Sequence, residues 1–127
     1  TNMGSMFSGA SSLTNIDVLS NWNTSSVTTT SYILSNTKIA NIDTLSNWDT
    51  SKVTTMQQMF SGASSLTNID GVSNWDTSKV TNMQSMFRNC SSITSLNPSF
   101  DWDVTSLTNK AAMFTGIPSS VTRPGWY

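Results

Sequence analysis

Seven Asp, one Cys, four Lys, two Arg and no His or Glu are the charged and nucleophilic groups this sequence offers for chemistry. With no His, the Cys90 thiol has no imidazole to activate it. Metal-ligand spacing, a phosphate-cradling glycine loop and a nucleophile elbow are all missing. We therefore expect a non-enzymatic protein that uses no cofactor and no metal. The acidic residues do recur in register: Asp17, Asp43 and Asp70 with Asn97, and separately Asp49, Asp76 and Asp103 with Asn23. Stacked acidic turns can hold calcium between neighbouring coils. A calcium site needs several converging oxygens, however, and each column supplies one carboxylate per repeat. Asx turns, helix capping and the Asp49–Lys52 and Asp76–Lys79 pairs account for these residues more simply.

Aromatic and polar columns are the remaining candidates. Trp22, Trp48, Trp75 and Trp102 lie 26, 27 and 27 residues apart. In register they read either as an aromatic ridge for carbohydrate or protein contact, or as rings that pack over one another and seal a turn. Thr14, Thr67 and Thr94, with Asn15, Asn41 and Asn68, are expected to face outward as a flat polar ladder. Such a ladder reads as a solvated surface or as one that binds protein, glycan or ice. The TNID, ANID and TSLN variation spoils the regularity that ice recognition needs. Asn23-Thr24-Ser25 and Asn89-Cys90-Ser91 match the glycosylation acceptor pattern, a weak signal in a chain with 13 Asn and 24 Ser. Cys90 shares its register with Ala10, Ala63 and Ile117, which points to a small buried residue.

Every one of these columns depends on a repeat. Val27, Val53, Val80 and Leu107 keep the tryptophan spacing, as do Phe7, Leu34, Phe60, Phe87 and Phe114, and Leu13, Ile39, Leu66 and Ile93. One domain over 1–127 follows, with a partial unit at 1–26, full units at 27–52, 53–79 and 80–106, and a degenerate terminal unit or cap at 107–127. Val80, Met83, Met86 and Phe87 fall on one face of a short helix, which Asp76, Thr77 and Ser78 would cap and Asn89 would stop. Leu66 to Asp70 suits a strand of three to five residues, with Gly71 at a bulge. One short parallel strand and one short helix per unit predict an α/β repeat solenoid.

Composition narrows the partners. Net charge is −1, which gives no electrostatic reason to expect nucleic acid. No apolar run approaches the ~18 residues of a membrane span, so membrane insertion is not expected. Beginning at Thr1 in mid-unit, the sequence is expected to be a fragment or a processed product.

The phrase LxxIDxxSNWDTSKVTxMxxMFxGxxS, with NWDTSKVTNM at Asn74–Met83 and the Met86–Phe87 pair, resembles the repeat of BspA-like leucine-rich repeat surface proteins, including the mycoplasma-type lipoprotein-associated repeats. The resemblance implies a right-handed, leucine-rich-repeat-like coil on secreted or wall-anchored proteins and supplies no catalytic residues. It leads us to expect an extracellular, cell-surface repeat module that mediates adhesion by binding protein or glycan. The alternative is a structural subunit that stacks head-to-tail on neighbouring copies of itself into an extracellular filament. Its end-to-end contacts would be Met3, Met6, Phe7 and Leu13 at one end, and Met113, Phe114, Ile117 and Trp126 at the other.

Overall fold

The structure, a computed structural model, describes residues 1–97 and 102–127; part of the 80–106 unit, at 98–101, lies outside them. Each unit makes one coil, and the coils stack through backbone hydrogen bonds that repeat once per unit. Met3, Ser5, Phe7 and Gly9 donate their amides to the carbonyls of Thr29, Ser31, Ile33 and Ser35 at 3.1, 2.9, 3.0 and 2.8 Å. Thr30, Tyr32, Leu34 and Asn36 repeat the pattern onto the third coil, Met56, Phe60 and Gly62 onto the fourth, and Met83, Ser85, Phe87 and Asn89 onto the fifth. In the other direction Thr28, Thr54, Thr81 and Thr108 donate to the carbonyls of Thr1, Thr28, Thr54 and Thr81. The two sets meet at single-residue parallel bridges running Asn2, Thr29, Thr55, Asn82, Asn109.

This is not the expected α/β solenoid. Among the described residues there is no α-helix and no strand longer than one bridge; the regular elements are 3-10 turns at Asp17–Asn21, Asp43–Asn47 and Asp70–Val72. The leucine-rich-repeat description, which needs a strand in each unit, falls with it.

The missing helix has a local cause. An α-helix sends every amide back along its own axis to the residue four before. From Gln58 to Ala63 the amides alternate instead. Gln58, Phe60 and Gly62 donate across to Gln84, Met86 and Arg88, while Met59, Ser61 and Ala63 close turns onto Met56, Gln58 and Phe60. Gln58 and Gly62 carry φ of 50° and 76°, each at the third position of such a turn, which is the type II pattern. Six residues cannot sustain an isolated helix, whereas the lateral bonds recur at every coil boundary. The Met-Met-Phe spacing that reads as a helical face is thus a chain of tight turns. The left-handed residue that a helix stop at Asn89 requires is present, at φ 60°, as it is at its counterpart Gly62, at 76°, but it links turns.

The strand fails for a different reason. Asn15, Asn41 and Asn68 accept the amides of Asp17, Asp43 and Asp70 on their side-chain oxygens, at 2.8, 2.6 and 3.2 Å. These Asx turns compete with a sheet ladder. The intervening Ile16, Ile42 and Ile69 sit near φ −129°, −126° and −127° with ψ of 19°, 16° and 20°, which curls the chain into the 3-10 turn. Gly71 belongs to that turn and not to a bulge. A Cβ there would stand 2.6 Å from the Ile42 carbonyl oxygen and 2.7 Å from the Asp43 nitrogen, so only glycine allows the coils to approach so closely.

The interior is a set of columns. Ile33, Met59, Met86 and Met113 are buried in register, and so are Leu34, Phe60, Phe87 and Phe114. Phe60, Phe87 and Phe114 stack nearly parallel at 5.4 and 5.7 Å. Burying one such side chain stabilises the fold by roughly 1.5–3 kcal/mol. No coil alone could bury both faces of its apolar residues, so the stack is what makes each coil stable.

Candidate functional site

Trp48, Trp75 and Trp102 are buried. Each indole N–H donates to a carbonyl of the preceding coil, those of Leu19, Leu45 and Val72, at 3.0, 2.9 and 3.1 Å. Trp48 and Trp75 stack at 6.2 Å with planes 4° apart. Their faces are therefore spent on one another. Trp22 is half-buried and tilted against Phe7 at 6.0 Å, and among the described residues its indole N–H has no carbonyl acceptor like those of the other three.

The second acidic column is built from Asx turns. Asp49 accepts the hydroxyl and amide of Ser51 at 2.6 and 3.0 Å, and Asp76 accepts those of Ser78 at the same distances. Asp103 does likewise with Thr105, and Asn23 with Ser25. The side-chain bond first, then the amide bond, holds the Asp49, Asp76 and Asp103 carboxyls below the usual aspartate range. Among the described residues no three His, Cys, Asp or Glu converge to hold a metal ion. Cys90 is buried and donates to the Phe60 carbonyl, and burial pushes its thiol up to about 12, far from a reactive thiolate.

The exposed surface is carried by hydroxyls and amides. Thr14, Thr67 and Thr94 are exposed in one column, interrupted by Ala40; Asn15 is exposed and Asn68 half-buried. The side-chain amide of Asn15 also donates to Asp17, so this column is partly turn chemistry. A second column, Thr28, Thr54, Thr81 and Thr108, is exposed in every coil. Each of these hydroxyls donates to the threonine carbonyl one coil back, at 3.3, 3.2, 3.2 and 3.0 Å. The proton of each hydroxyl is thereby committed to the backbone, and its lone pairs remain for an outside donor. Along the same coils lies a half-buried polar pad. Gln57 donates to Gln84 at 3.3 Å, Asn109 to Gln84 at 3.4 Å, and Gln58 to the Tyr32 hydroxyl at 3.4 Å.

The family described as Mycoplasma protein of unknown function, DUF285, matches residues 1–124. The chain belongs to the DUF285 family. No curated protein and no solved structure matches it significantly.

At the two ends of the DUF285 stack the sequence-predicted contact residues are placed differently. On the first coil Met3 is buried, Phe7 and Leu13 are half-buried, and Met6 is 50% exposed although its counterparts in every other coil are fully covered. On the last coil Met113, Phe114 and Ile117 are buried, and Trp126, half-covered, packs against Phe114. Among the described residues no helix is long and apolar enough to cross a membrane.

Two features of the DUF285 surface escape sequence reading. The Thr28–Thr108 column hides among 19 threonines, and only its period of 26 or 27 residues, the same as that of the core valines, could have singled it out. Val18 is the other. It is 66% exposed on the first coil, where Thr44 and Gly71 hold the same register in the next two.

Proposed function

We propose that this DUF285 chain is a non-enzymatic, extracellular cell-surface module that binds glycan or protein, in the manner expected of BspA-like surface proteins. The observation that carries the reading is the Thr28, Thr54, Thr81 and Thr108 column with its committed hydroxyl protons. A threonine hydroxyl that is already hydrogen-bonded loses no rotational freedom on meeting a ligand. Repeated once per coil, such hydroxyls offer a row of oriented acceptors and methyl groups. That row suits a ligand that is itself a row of donors, such as an oligosaccharide or an extended peptide. The Gln57–Gln84 and Tyr32–Gln58 pairs add side-chain amides and one half-buried aromatic ring beside it. Polar, pre-ordered, nearly uncharged surfaces of this kind give specificity without long-range steering.

The test is a glycan array and a host-cell binding assay with the intact chain, repeated with Thr54→Val and Thr81→Val together. Binding above background that falls at least tenfold in the double variant supports the reading. Background-level binding on every glycan and cell type, with the chain folded, overturns it. Thr54→Val and Thr81→Val keep the shape of the column and remove only its oxygens, so a loss of binding reports on the hydroxyl row itself.

A further inference from the structure

One corner of the stack departs from its own repeat. The amides of Ile33, Met59 and Met86 close tight turns onto the carbonyls of Thr30, Met56 and Met83, and the residues inside these turns are Ser31 and Tyr32, Gln57 and Gln58, Gln84 and Ser85. The second of each pair is left-handed in every coil: Ser5, Tyr32, Gln58, Ser85 and Ala112 have φ between 50° and 61°. A bulky ring is poorly suited to that region, and serine, glutamine and alanine close the same turn elsewhere. Closing the turn therefore gives no reason for a tyrosine. Thr30, which opens the same turn, buries a hydroxyl that has no partner among the described residues. Two local rules broken within three residues point to a demand other than folding.

The ring itself is free of aromatic partners. Among the described residues every other aromatic side chain packs against another ring, and Tyr32 against none. Tyr32 is half-buried, and its hydroxyl accepts the Gln58 side-chain amide at 3.4 Å, which ties it to the following coil. In the preceding coil the same turn holds Gly4 and Ser5, so nothing larger than a hydroxymethyl stands at that corner. Beside the ring, the Gln84 side-chain oxygen accepts from Gln57 and from Asn109. The Gln84 side-chain NH2 group and the Gln57 side-chain oxygen have no partner among the described residues.

We propose that Tyr32 is the stacking platform of a subsite for a neutral sugar, with Gln57 and Gln84 as its hydrogen-bonding rim. This rests on the glycan form of the function proposed above and names the ligand class. A pyranose has an apolar C–H face and a rim of hydroxyls that both donate and accept. The negative π face of the ring attracts the C–H groups, while the two carboxamides offer a donor and an acceptor to neighbouring hydroxyls. No residue inside these turns is charged, which favours a neutral sugar over an acidic one. An extended peptide would need free backbone groups to pair with, and here the Tyr32 and Gln58 amides are already bonded to the Gln57 and Gln84 carbonyls.

The test is an array of neutral hexose and N-acetylhexosamine oligosaccharides, probed with the full chain and with Tyr32→Ser, Tyr32→Phe and the Thr54→Val, Thr81→Val double variant. Tyr32→Ser installs the residue that Ser5 and Ser85 already supply at this φ, and is expected to keep the near-ultraviolet circular dichroism of the remaining aromatics. It is expected to weaken binding at least tenfold, whereas Tyr32→Phe, which keeps the ring, stays within threefold of the wild type. Should Tyr32→Ser lose its tertiary signal, Tyr32→Gln, the residue of the following coil, carries the same test. Binding unchanged in Tyr32→Ser overturns the subsite; if the double threonine variant weakens that binding, the hydroxyl row survives without it. Tyr32→Phe as weak as Tyr32→Ser overturns the stacking role. Wild-type binding to protein ligands with none to the neutral sugars overturns the subsite alone, and background binding to every ligand overturns both readings.

Discussion

The side-chain oxygen of Asn36 occupies the space that a Cβ on Gly62 would fill, with the Asn36 Cγ 3.1 Å from the same point. Asn89 stands in the same relation to Gly116 one pair of coils further on, its Cα 3.2 Å from the corresponding point. All four residues have positive φ, between 56° and 82°. Gly62 and Gly116 are therefore glycine for a steric reason as well as a conformational one. Each Asn leans over the coil below it, and only glycine leaves room.

Gly62→Ala should accordingly cost more than Gly9→Ala. Both residues have φ of 76°, where an alanine loses about 1–2 kcal/mol. A Cβ at Gly9 meets nothing within 4 Å, so that substitution should show the backbone cost alone. Gly62→Ala adds the clash and should reach ~2–4 kcal/mol in urea unfolding. Asn36→Gly combined with Gly62→Ala removes the clash and should bring the loss back to the Gly9→Ala level. If the two single variants unfold at the same denaturant concentration, the steric account is wrong.

The tryptophan column makes a second contrast. In Trp75→Phe the Leu45 carbonyl loses its indole donor while still buried, and the ring shrinks against Trp48. The expected loss is ~2–3 kcal/mol. Trp22→Phe sacrifices no such bond and should cost under about 1 kcal/mol. Chemical denaturation of the two variants side by side decides the point. Equal losses would mean that the column is held by ring packing and not by the indole hydrogen bond.

The repeat was legible because core columns tolerate few substitutions: Val27, Val53 and Val80, and Phe60, Phe87 and Phe114, announce their spacing directly. What fills the space between them was not. Ser5, Tyr32, Gln58, Ser85 and Ala112 share a positive φ with no residue type in common, because the lateral backbone bonds impose it. A pattern of Val80, Met83, Met86 and Phe87 satisfies a helix and a chain of type II turns equally well, since both bring i, i+3 and i+6 to one side. Only the destination of the amides separates them, and that lies one coil away. The site was legible in part. Thr67 and Asn15 are exposed as expected, whereas the burial of Trp48, Trp75 and Trp102 follows from acceptors in the preceding coil, which periodicity does not reveal.

Stability should fall on acidification, through the Asx turns at Asp49, Asp76 and Asp103. Their carboxyls are held below the usual range by the Ser51, Ser78 and Thr105 hydroxyls and amides, so each favours the folded state when ionised. The contribution is full above the unfolded value of about 3.9 and is lost as pH drops through the lower folded values. Replacing all three by Asn keeps the turn, as Asn23 shows with Ser25, and removes the titration. The melting temperature of the triple variant should therefore change less below about pH 4 than that of the wild type. Parallel curves for the two proteins would place the acid sensitivity elsewhere.

Thr30 puts a hydroxyl into a column of buried methionines. Its counterparts Met3, Met56 and Met83 are all buried, and the column ends at the exposed Lys110. Thr30 is buried too, and among the described residues its hydroxyl has no hydrogen-bond partner. A buried hydroxyl in that state costs roughly 1–3 kcal/mol relative to one that is satisfied. Thr30→Val replaces the oxygen by a methyl of nearly the same volume and should stabilise the chain by ~1 kcal/mol. Thr37→Val is the control. Thr37 is equally buried, but its hydroxyl donates to the Leu34 carbonyl at 2.8 Å, so the same exchange there should destabilise. Opposite signs in urea unfolding are the expected result; a destabilised Thr30→Val would mean that the hydroxyl has a partner in solution, such as a trapped water.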